Sequence, residues 1–209
     1  MRYRLLMMDV DSTLIDQEVI DELAKIVGDG EAVSQITARA MSGQLDFESA
    51  LRERVRLLAG APVSVLTQVQ EKITLTNGAK EMISTLKSMN VKIGIVSGGF
   101  EEVIAPLAHN LGLDFFRGNR FEIVDGVLTG ELTGPIIGRK EKGEALSDFA
   151  SSLDIDLDET VAIGDGANDV EMITRAGLGI AFCAKEVLRF EADASIEVRD
   201  LRQVLDFFI

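Results

Sequence analysis

Short apolar runs recur along the chain, and each ends in a turn rich in glycine or polar residues. Amphipathic stretches such as Glu81 to Met89, with apolar residues at spacings of three and four, lie between the runs. Strands that alternate with helices predict a parallel sheet. The runs are apolar at nearly every position, as expected when helices cover both faces of the sheet. The predicted strands are YRLLMM, VKIGIV, TVAI, LGIAF and ASIEV.

Residues 17–74 depart from this alternation. They contain the amphipathic stretches Val19 to Val27, Phe47 to Leu58 and Val63 to Ile73, and no convincing strand. We therefore predict a helical cap domain, residues 17–74, inserted after the first strand.

A second departure is the sequence NRFEIVDGVLTGELTG at residues 119–134. Two alternating runs about an Asp-Gly pair predict a small β-hairpin insertion. The predicted fold is α/β: a Rossmann-like parallel sheet flanked by helices, formed by residues 1–16 and 75–209, with the cap and the hairpin as insertions.

Composition narrows the classes of function. The 209 residues are 46% hydrophobic and 27% charged, which is typical of a globular protein. The net charge of −14, from 35 acidic and 21 basic residues, argues against nucleic acid or an anionic membrane as the main partner. A small anionic substrate stays compatible with this charge, provided that cations or a metal ion lie at its site.

Other features predict a cytoplasmic protein. The N-terminus has no signal-peptide pattern, and no apolar run approaches the roughly 20 residues that a membrane span needs. The single cysteine, Cys183, excludes an internal disulfide and suits a reducing compartment.

Polar side chains follow three of the predicted strands. Ligands of open parallel sheets bind at the carboxyl ends of the strands, so these side chains are the candidate site. They are Asp9, Asp11 and Thr13 after the first strand, Ser97, Gly98 and Gly99 after the second, and Asp165, Asn168 and Asp169 after a later one.

The DVD sequence places two carboxylates two residues apart. On a strand, residues i and i+2 point to the same side, so Asp9 and Asp11 would repel each other unless a cation or a bound group intervenes. Asp11 could instead cap a following helix. Asp165 and Asp169 supply a second carboxylate pair at another strand end, and hard oxygen ligands with few histidine or cysteine residues nearby indicate Mg²⁺.

Two further places could bind an anion. The backbone amides and hydroxyl of Ser97 to Gly99 can hold an oxyanion, although glycine turns after strands are common. Lys142 begins the helical stretch KGEALSDF and could reach the same anion, or it could be a surface lysine.

Arg54 lies on the apolar side of its predicted helix. Counting 100° per residue from Phe47, Leu51 falls at about 40°, Arg54 at about 340° and Leu58 at about 20°. A guanidinium there needs an anionic partner, either an internal carboxylate or the carboxylate of a ligand. Glu18 follows DVDST closely enough to face the same site, but the helix dipole alone also favours a glutamate there.

Four motifs together resemble those of the haloacid dehalogenase superfamily of phosphatases: DVDST, VSGG, Lys142 and GDGAND, in that order. The resemblance to the phosphoserine phosphatase branch covers essentially the whole chain and includes Glu18, Met41, FESALRERV, the hairpin, AFCAK and RDL. It implies hydrolysis of O-phospho-L-serine to L-serine and phosphate, the last step of L-serine biosynthesis, with Mg²⁺ as cofactor.

The resemblance also implies roles for the acidic residues. Asp9 would be the nucleophile that forms an aspartyl-phosphate, and Asp11 the general acid and base. Mg²⁺ would be held by the Asp9 carboxylate, the main-chain carbonyl of Asp11 and the Asp165 carboxylate. Asp169 would orient these ligands, and Thr13 would support them from behind.

The remaining implied roles concern the substrate. Phosphoryl oxygens would be held by Ser97, Lys142 and the amide of Gly98, with Asn168 near them. The cap would choose the substrate: Arg54 takes the carboxylate, Glu18 the ammonium group, and Phe47 and Met41 line the side-chain space.

Three alternatives stay open on the sequence alone. A related enzyme could act on phosphothreonine or another small phosphomonoester, or transfer the phosphoryl group to an alcohol. A phospho-accepting switch of the receiver type also gathers acidic residues around Mg²⁺, but Asp11 and the helical insertion argue against it. A plain nucleotide-binding module would need GxGxxG after the first strand, which is missing.

Overall fold

The computed structural model describes residues 2–41 and 44–208, apart from the side chain of Met41. Seven strands in this part of the chain form one sheet. They are β1 (Leu5–Met8), β2 (Lys92–Phe100), β3 (Phe115–Val124), β4 (Val127–Thr133), β5 (Thr160–Gly164), β6 (Leu178–Phe182) and β7 (Ala194–Ile196). Their spatial order is β4-β3-β2-β1-β5-β6-β7, and every neighbouring pair is parallel except β3 and β4.

The described residues also form nine α-helices. They are α1 (Val19–Val27), α2 (Gly30–Met41), α3 (Phe47–Arg56), α4 (Ser64–Lys72), α5 (Ala79–Ser88), α6 (Glu101–Leu111), α7 (Arg139–Ser152), α8 (Val170–Arg175) and α9 (Glu186–Arg189).

Both faces of the sheet are buried. Leu6 and Met8 of β1 join an apolar cluster with α5, α6 and the helices of residues 19–72. Leu5 and Met7 point to the opposite face and join a second cluster with α7 and α8. The continuous apolar runs of the sequence therefore have the predicted cause, and the predicted α/β class with a mainly parallel sheet is confirmed.

The chain changes direction across the sheet at β1. It builds β2, β3 and β4 on one side of β1 and then returns to place β5, β6 and β7 on the other. The loops at the carboxyl ends of the strands diverge at such a switch point and leave a crevice for a ligand. The crevice here lies at the ends of β1, β2 and β5.

The helices α1, α2, α3 and α4 follow β1 and form the helical segment, residues 19–72. Three of them match the predicted amphipathic stretches; α2 was not predicted, since its apolar positions Val33 and Ile36 are few among polar ones. No strand lies in the described part of residues 17–74. Their division from the rest as a separate cap domain stays a prediction.

The predicted hairpin turns at Asp125 and Gly126, which both have positive φ, at 50° and 78°. That conformation matches the twist of the two strands. β3 begins at Phe115, earlier than predicted, and pairs with β2, so the hairpin continues the main sheet. The outer edge of β4 bonds residues 60–63 of the helical segment: Gly60 N to Leu128 O at 2.8 Å, Leu128 N to Ala61 O at 2.9 Å and Val63 N to Gly126 O at 2.9 Å.

Within residues 2–41 and 44–208, the helices are too short or too polar to cross a lipid bilayer.

Candidate active site

The two carboxylates of DVDST lie in a loop. β1 ends at Met8, and residues 10–14 form a tight turn in which Asp11 is extended and Ser12 has a positive φ of 56°. The prediction that Asp9 and Asp11 share one side of a strand is therefore wrong, because neither residue belongs to β1. The turn nevertheless brings both carboxylates to one cavity.

This cavity has a volume of about 800 Å³ and lies between the strand ends and the helices α1, α2 and α3. Its core side is lined by Asp9, Asp11, Ser97, Gly98, Gly99, Phe100, Arg139, Asp165, Gly166, Ala167, Asn168 and Lys185. Its helical side is lined by Glu18, Ile20, Asp21, Thr37, Ala40, Leu45, Phe47, Leu51 and Arg54.

A buried cluster of charges lies behind the core side. The Lys142 ammonium is fully buried and lies 2.7 Å from both Asp9 Oδ1 and Asp169 Oδ1. Asp9 Oδ1 also accepts a 2.7 Å hydrogen bond from Val10 N. Lys142 was predicted to bind the substrate's anion, and the structure adds that it holds the two carboxylates in place.

Asp169 fixes the turn that carries Asp165. Its Oδ2 atom accepts hydrogen bonds from Asp165 N at 3.1 Å and Gly166 N at 3.0 Å. Gly164 is required here, since a Cβ atom at that position would lie 2.4 Å from Asp169 Cγ. The glycines and acids of GDGAND therefore form one rigid unit.

Burial and mutual repulsion shift the acidic groups. Burial raises the pKa of Asp165 to about 6, with Asp169 adding to the shift. The pKa of Asp9 is also raised, by burial and by Asp169, against the opposing effect of Lys142. For Lys142, burial favours the neutral amine, but Asp169 and Asp9 outweigh it and raise the pKa. One lysine thus leaves an excess of negative charge among three carboxylates.

That excess matches a divalent cation site. Oxygen atoms of Asp9, Asp165 and Asp169 lie within 4.8 Å of one another. Asp11 Oδ1 is buried without a hydrogen-bond partner among the described residues. Carboxylate oxygens are the ligands that hard cations prefer, so the residues present fit a metal ion of this class.

The Asp11 carboxyl is suited to carry a proton. Its pKa is raised well above the usual range by burial and by the nearby Glu18 carboxylate. A carboxyl that keeps its proton towards neutral pH can act as a general acid.

The prediction that Ser97, Gly98 and Gly99 follow the second strand is wrong, because β2 continues through them to Phe100. Hydrogen bonds organise this end of β2. The buried Ser97 Oγ accepts from Gly99 N at 2.8 Å, which leaves its own hydrogen free to donate. Asn119, on β3, donates from Nδ2 to Gly98 O at 2.8 Å and accepts at Oδ1 from Ile137 N at 2.8 Å. Asn119 was not predicted, because a residue of the hairpin comes close to the Ser97 end of β2 only once the sheet has formed.

The helical side carries Arg54 and Glu18, as predicted. Arg54 is partly buried and donates from Nε to Ala50 O at 3.2 Å, and it forms no ion pair with any described residue. Its remaining donors are free for a ligand. Glu18 accepts a 2.6 Å hydrogen bond from Ser12 Oγ through Oε1.

The other predicted residues have mixed outcomes. Phe47 packs against Gly98 at the end of β2, where a Cβ atom on Gly98 would lie 2.9 Å from Phe47 Cζ. Asn168 lines the cavity, and Thr13 is buried behind it with a hydroxyl that has no partner among the described residues. The prediction for Met41 concerns a side chain outside the described residues.

Sequence reasoning missed four polar residues that line the cavity: Asp21, Thr37, Arg139 and Lys185. Asp21 could have been found, because it lies in the first turn of the helix that begins directly after Glu18. Lys185 follows a predicted strand within AFCAK. No local signal identifies Thr37, whose hydroxyl is buried without a partner among the described residues.

Comparisons with known proteins show to which family the chain is related. The chain is 50% identical over 202 residues to phosphoserine phosphatase SerB2 of Mycobacterium tuberculosis, a match that covers 97% of this chain and 49% of that protein. It is 46% identical over 202 residues to phosphoserine phosphatase of Streptococcus thermophilus, covering 97% and 94%. The chain thus spans about half the length of the first relative and nearly all of the second.

A solved structure described as a phospho-aspartyl intermediate analogue of phosphoserine phosphatase has a similar fold. It superposes with a TM-score of 0.93 at 44% identity and covers 99% of both chains. Residues 6–174 match the sequence profile of the haloacid dehalogenase-like hydrolases. The chain therefore belongs to the haloacid dehalogenase-like hydrolase family.

Proposed function

We propose that this chain hydrolyses O-phospho-L-serine to L-serine and inorganic phosphate through an aspartyl-phosphate on Asp9. One observation carries the proposal: Asp9 and Asp11 line the same cavity as Arg54 and Glu18. The first pair suits phosphoryl transfer, and the second pair offers opposite charges to a zwitterion. A sugar phosphate has neither a carboxylate nor an ammonium group for this second pair.

The reaction has two steps. A carboxylate oxygen of Asp9 attacks phosphorus, the bond between phosphorus and the serine oxygen breaks, and Asp11 gives its proton to that oxygen. The Asp11 carboxylate then takes a proton from water, whose oxygen attacks phosphorus and displaces Asp9. The raised pKa of Asp11 and the relative described as a phospho-aspartyl intermediate analogue support this route.

The cation in this proposal is Mg²⁺. The carboxylates of Asp9 and Asp165 and the main-chain carbonyl of Asp11 would hold it, and Asp169 and Thr13 would support these groups from behind. When bound, Mg²⁺ reduces the repulsion between the nucleophile and the phosphate.

The phosphoryl oxygens would be held by the Ser97 hydroxyl, the Gly98 amide and the Lys142 ammonium, with Asn168 beside them. Donors fixed before the substrate arrives stabilise charge that develops in the transition state. The hydrogen bonds around Ser97 and Lys142 support this role, because they fix both side chains in the free protein.

In the proposed cap, Arg54 binds the substrate carboxylate and Glu18 binds its ammonium group. The free donors of Arg54 support the first contact. Phe47 would close the side-chain space, and the contribution of Met41 to the same wall stays a prediction.

The direct test is a phosphate-release assay with phosphoserine, phosphothreonine and a sugar phosphate, each with and without EDTA. We expect the highest kcat/KM for phosphoserine, loss of activity with EDTA and recovery with added Mg²⁺. Overlap with phosphothreonine is expected, because one methyl group changes binding by only about 1–3 kcal/mol. A preference for the sugar phosphate, or activity unaffected by EDTA, would contradict the proposal.

Two further outcomes bear on the alternatives. Transfer of the phosphoryl group to an added alcohol would indicate a phosphotransferase, and label that persists on Asp9 for hours would indicate a switch. We also propose that the reaction takes place in the cytoplasm as the last step of L-serine biosynthesis. The single cysteine suits a reducing compartment, and the relatives' names give phosphoserine as the substrate of those proteins. The absence of a nucleic-acid partner stays a prediction from the net charge.

A further inference from the structure

The RDL segment after β7 has no role in the reaction described above, and Arg199 within it does not line the cavity. Its guanidinium nevertheless donates four hydrogen bonds to other described residues. Nε donates to Asp16 Oδ1 at 2.8 Å and Nη1 donates to the Ser12 carbonyl at 2.9 Å. Nη2 donates to the Ile15 carbonyl at 3.1 Å and to Thr76 Oγ1 at 3.3 Å.

These partners belong to the two connections between the helical segment and the sheet, residues 12–18 and 74–76, which we call the paired linkers. The linkers bond to each other through Asp16 N to Thr74 O at 3.0 Å and Thr76 N to Leu14 O at 3.0 Å. Arg199 therefore joins both linkers to the part of the chain that follows β7. A single side chain ties three segments that are far apart in the sequence.

Ser12 connects this junction to the substrate side. Its φ of 56° is costly for a residue with a side chain and persists only where surrounding bonds impose it. The Arg199 bond to the Ser12 carbonyl is one such bond. In this conformation Ser12 Oγ donates to Glu18 Oε1 at 2.6 Å, which leaves Glu18 Oε2 for a ligand.

The contacts require an arginine. The planar guanidinium directs its donors in fixed directions, whereas the ammonium of lysine is a point charge with a shorter reach across the junction. A lysine could keep the attraction to Asp16 but could not donate to Ser12, Ile15 and Thr76 together.

We propose that Arg199 is a positioning residue for substrate selection: it holds Ser12 in the conformation that orients Glu18 towards the substrate ammonium. The inference rests on the proposed function, since it concerns how that site recognises phosphoserine. It predicts that Arg199 acts on selection through the relay Arg199, Ser12, Glu18 and has little effect on phosphoryl transfer itself.

The test compares two substrates that differ only in the ammonium group, phosphoserine and phosphorylated 3-hydroxypropionate. For Arg199→Lys we expect the ratio of their kcat/KM values to fall roughly tenfold, within the range found for residues coupled in one hydrogen-bond network. The change should lie in KM for phosphoserine, with kcat for both substrates within about twofold of the parent protein. Ser12→Ala, which cuts only the relay to Glu18, should lower the ratio similarly.

The matched control is Arg202→Lys, in the same segment. Arg202 pairs with the neighbouring Asp200 and, among the described residues, forms no hydrogen bond or ion pair with either linker. It should leave the ratio unchanged. A double-mutant cycle with Glu18→Gln completes the test: in that background Arg199→Lys should no longer change the ratio.

Equal losses on both substrates, or a lower thermal stability with an unchanged ratio, would show a purely structural role and overturn the inference. So would an undiminished effect in the Glu18→Gln background. If the parent protein fails to hydrolyse phosphoserine, both the proposed function and this inference fail. The assay of the parent protein, without any variant, identifies that outcome.

Discussion

The two sides of the cavity are built in different ways. On the core side, the groups of Asp9, Lys142 and Asp169 are buried and bonded to one another and to backbone amides. On the helical side, Arg54 has one backbone hydrogen bond, and the Thr37 hydroxyl has no partner among the described residues.

This difference separates two tasks. The core side is organised before a ligand arrives, as transition-state stabilisation requires. The helical side keeps donors and acceptors that the described residues leave available to a ligand, as selection requires. Substitutions on the core side should therefore affect catalysis and stability, and those on the helical side should affect mainly the choice of substrate.

Replacement of the nucleophile should have the largest effect. Asp9→Asn keeps the size of the side chain but removes the attacking oxygen, so kcat should fall on the order of 10⁵-fold or more. The measurement is phosphate release from phosphoserine, with circular dichroism to show that the variant is folded. Retention of a tenth of the activity would mean that Asp9 is not the nucleophile.

Removal of the buried Lys142 ammonium tests the stability of the core side. Lys142→Met leaves two buried carboxylates without their partner, and we expect the free energy of unfolding to fall by about 3–5 kcal/mol. Urea denaturation measures it. The control is Lys140→Met, two residues away. Lys140 is exposed and its one ion pair within the described part of the chain is with Glu144, so the substitution should cost less than about 1 kcal/mol. Equal losses in the two variants would contradict the account of a buried charge network.

The helical side is tested by Arg54→Ala. We expect kcat/KM for phosphoserine to fall about 100-fold, because a buried charge pair with the substrate carboxylate contributes about 2–5 kcal/mol. For phosphoethanolamine, which lacks that carboxylate, the loss should be far smaller. Arg52→Ala is the matched control on the same helix, since Arg52 pairs with Glu48. A uniform loss on both substrates would remove the distinction between the two sides.

The smallest effect concerns pH and the cation. Because the pKa of Asp165 is raised to about 6, its proton competes with the cation below that pH. The Mg²⁺ concentration for half-maximal activity should then rise about tenfold for each pH unit below 6, and stay nearly constant above 7. Titrations of activity with Mg²⁺ at pH 5, 6 and 7.5 measure this. A half-maximal concentration that does not depend on pH would argue against Asp165 as a ligand.

The sequence predicted the core side well, because several of its groups lie at or directly after the end of a buried apolar run. Asp9, Ser97 and Asp165 directly succeed apolar runs, and the switch in strand order brings those strand ends together. Strand alternation does not explain why Asp9 and Asp11 face one cavity, because β1 ends at Met8, one residue before Asp9.

Contacts between distant parts of the chain could not be predicted from local patterns. Asn119 reaches Gly98 only because β3 pairs with β2, and Thr37 reaches the cavity only because α2 packs against α1 and α3. Arg54 is the exception, since a charge within an apolar stripe is visible in the helical periodicity itself.

The bonds between β4 and residues 60–63 have a consequence for self-association. An open edge strand can pair with another copy of the protein and start aggregation. Gly60 and Ala61 bond Leu128 at the start of that edge, and Val63 bonds Gly126 in the adjoining turn, all from within the same chain. A substitution that pulls this stretch away from β4 would therefore expose a surface ready for intermolecular pairing, even with the reacting groups untouched.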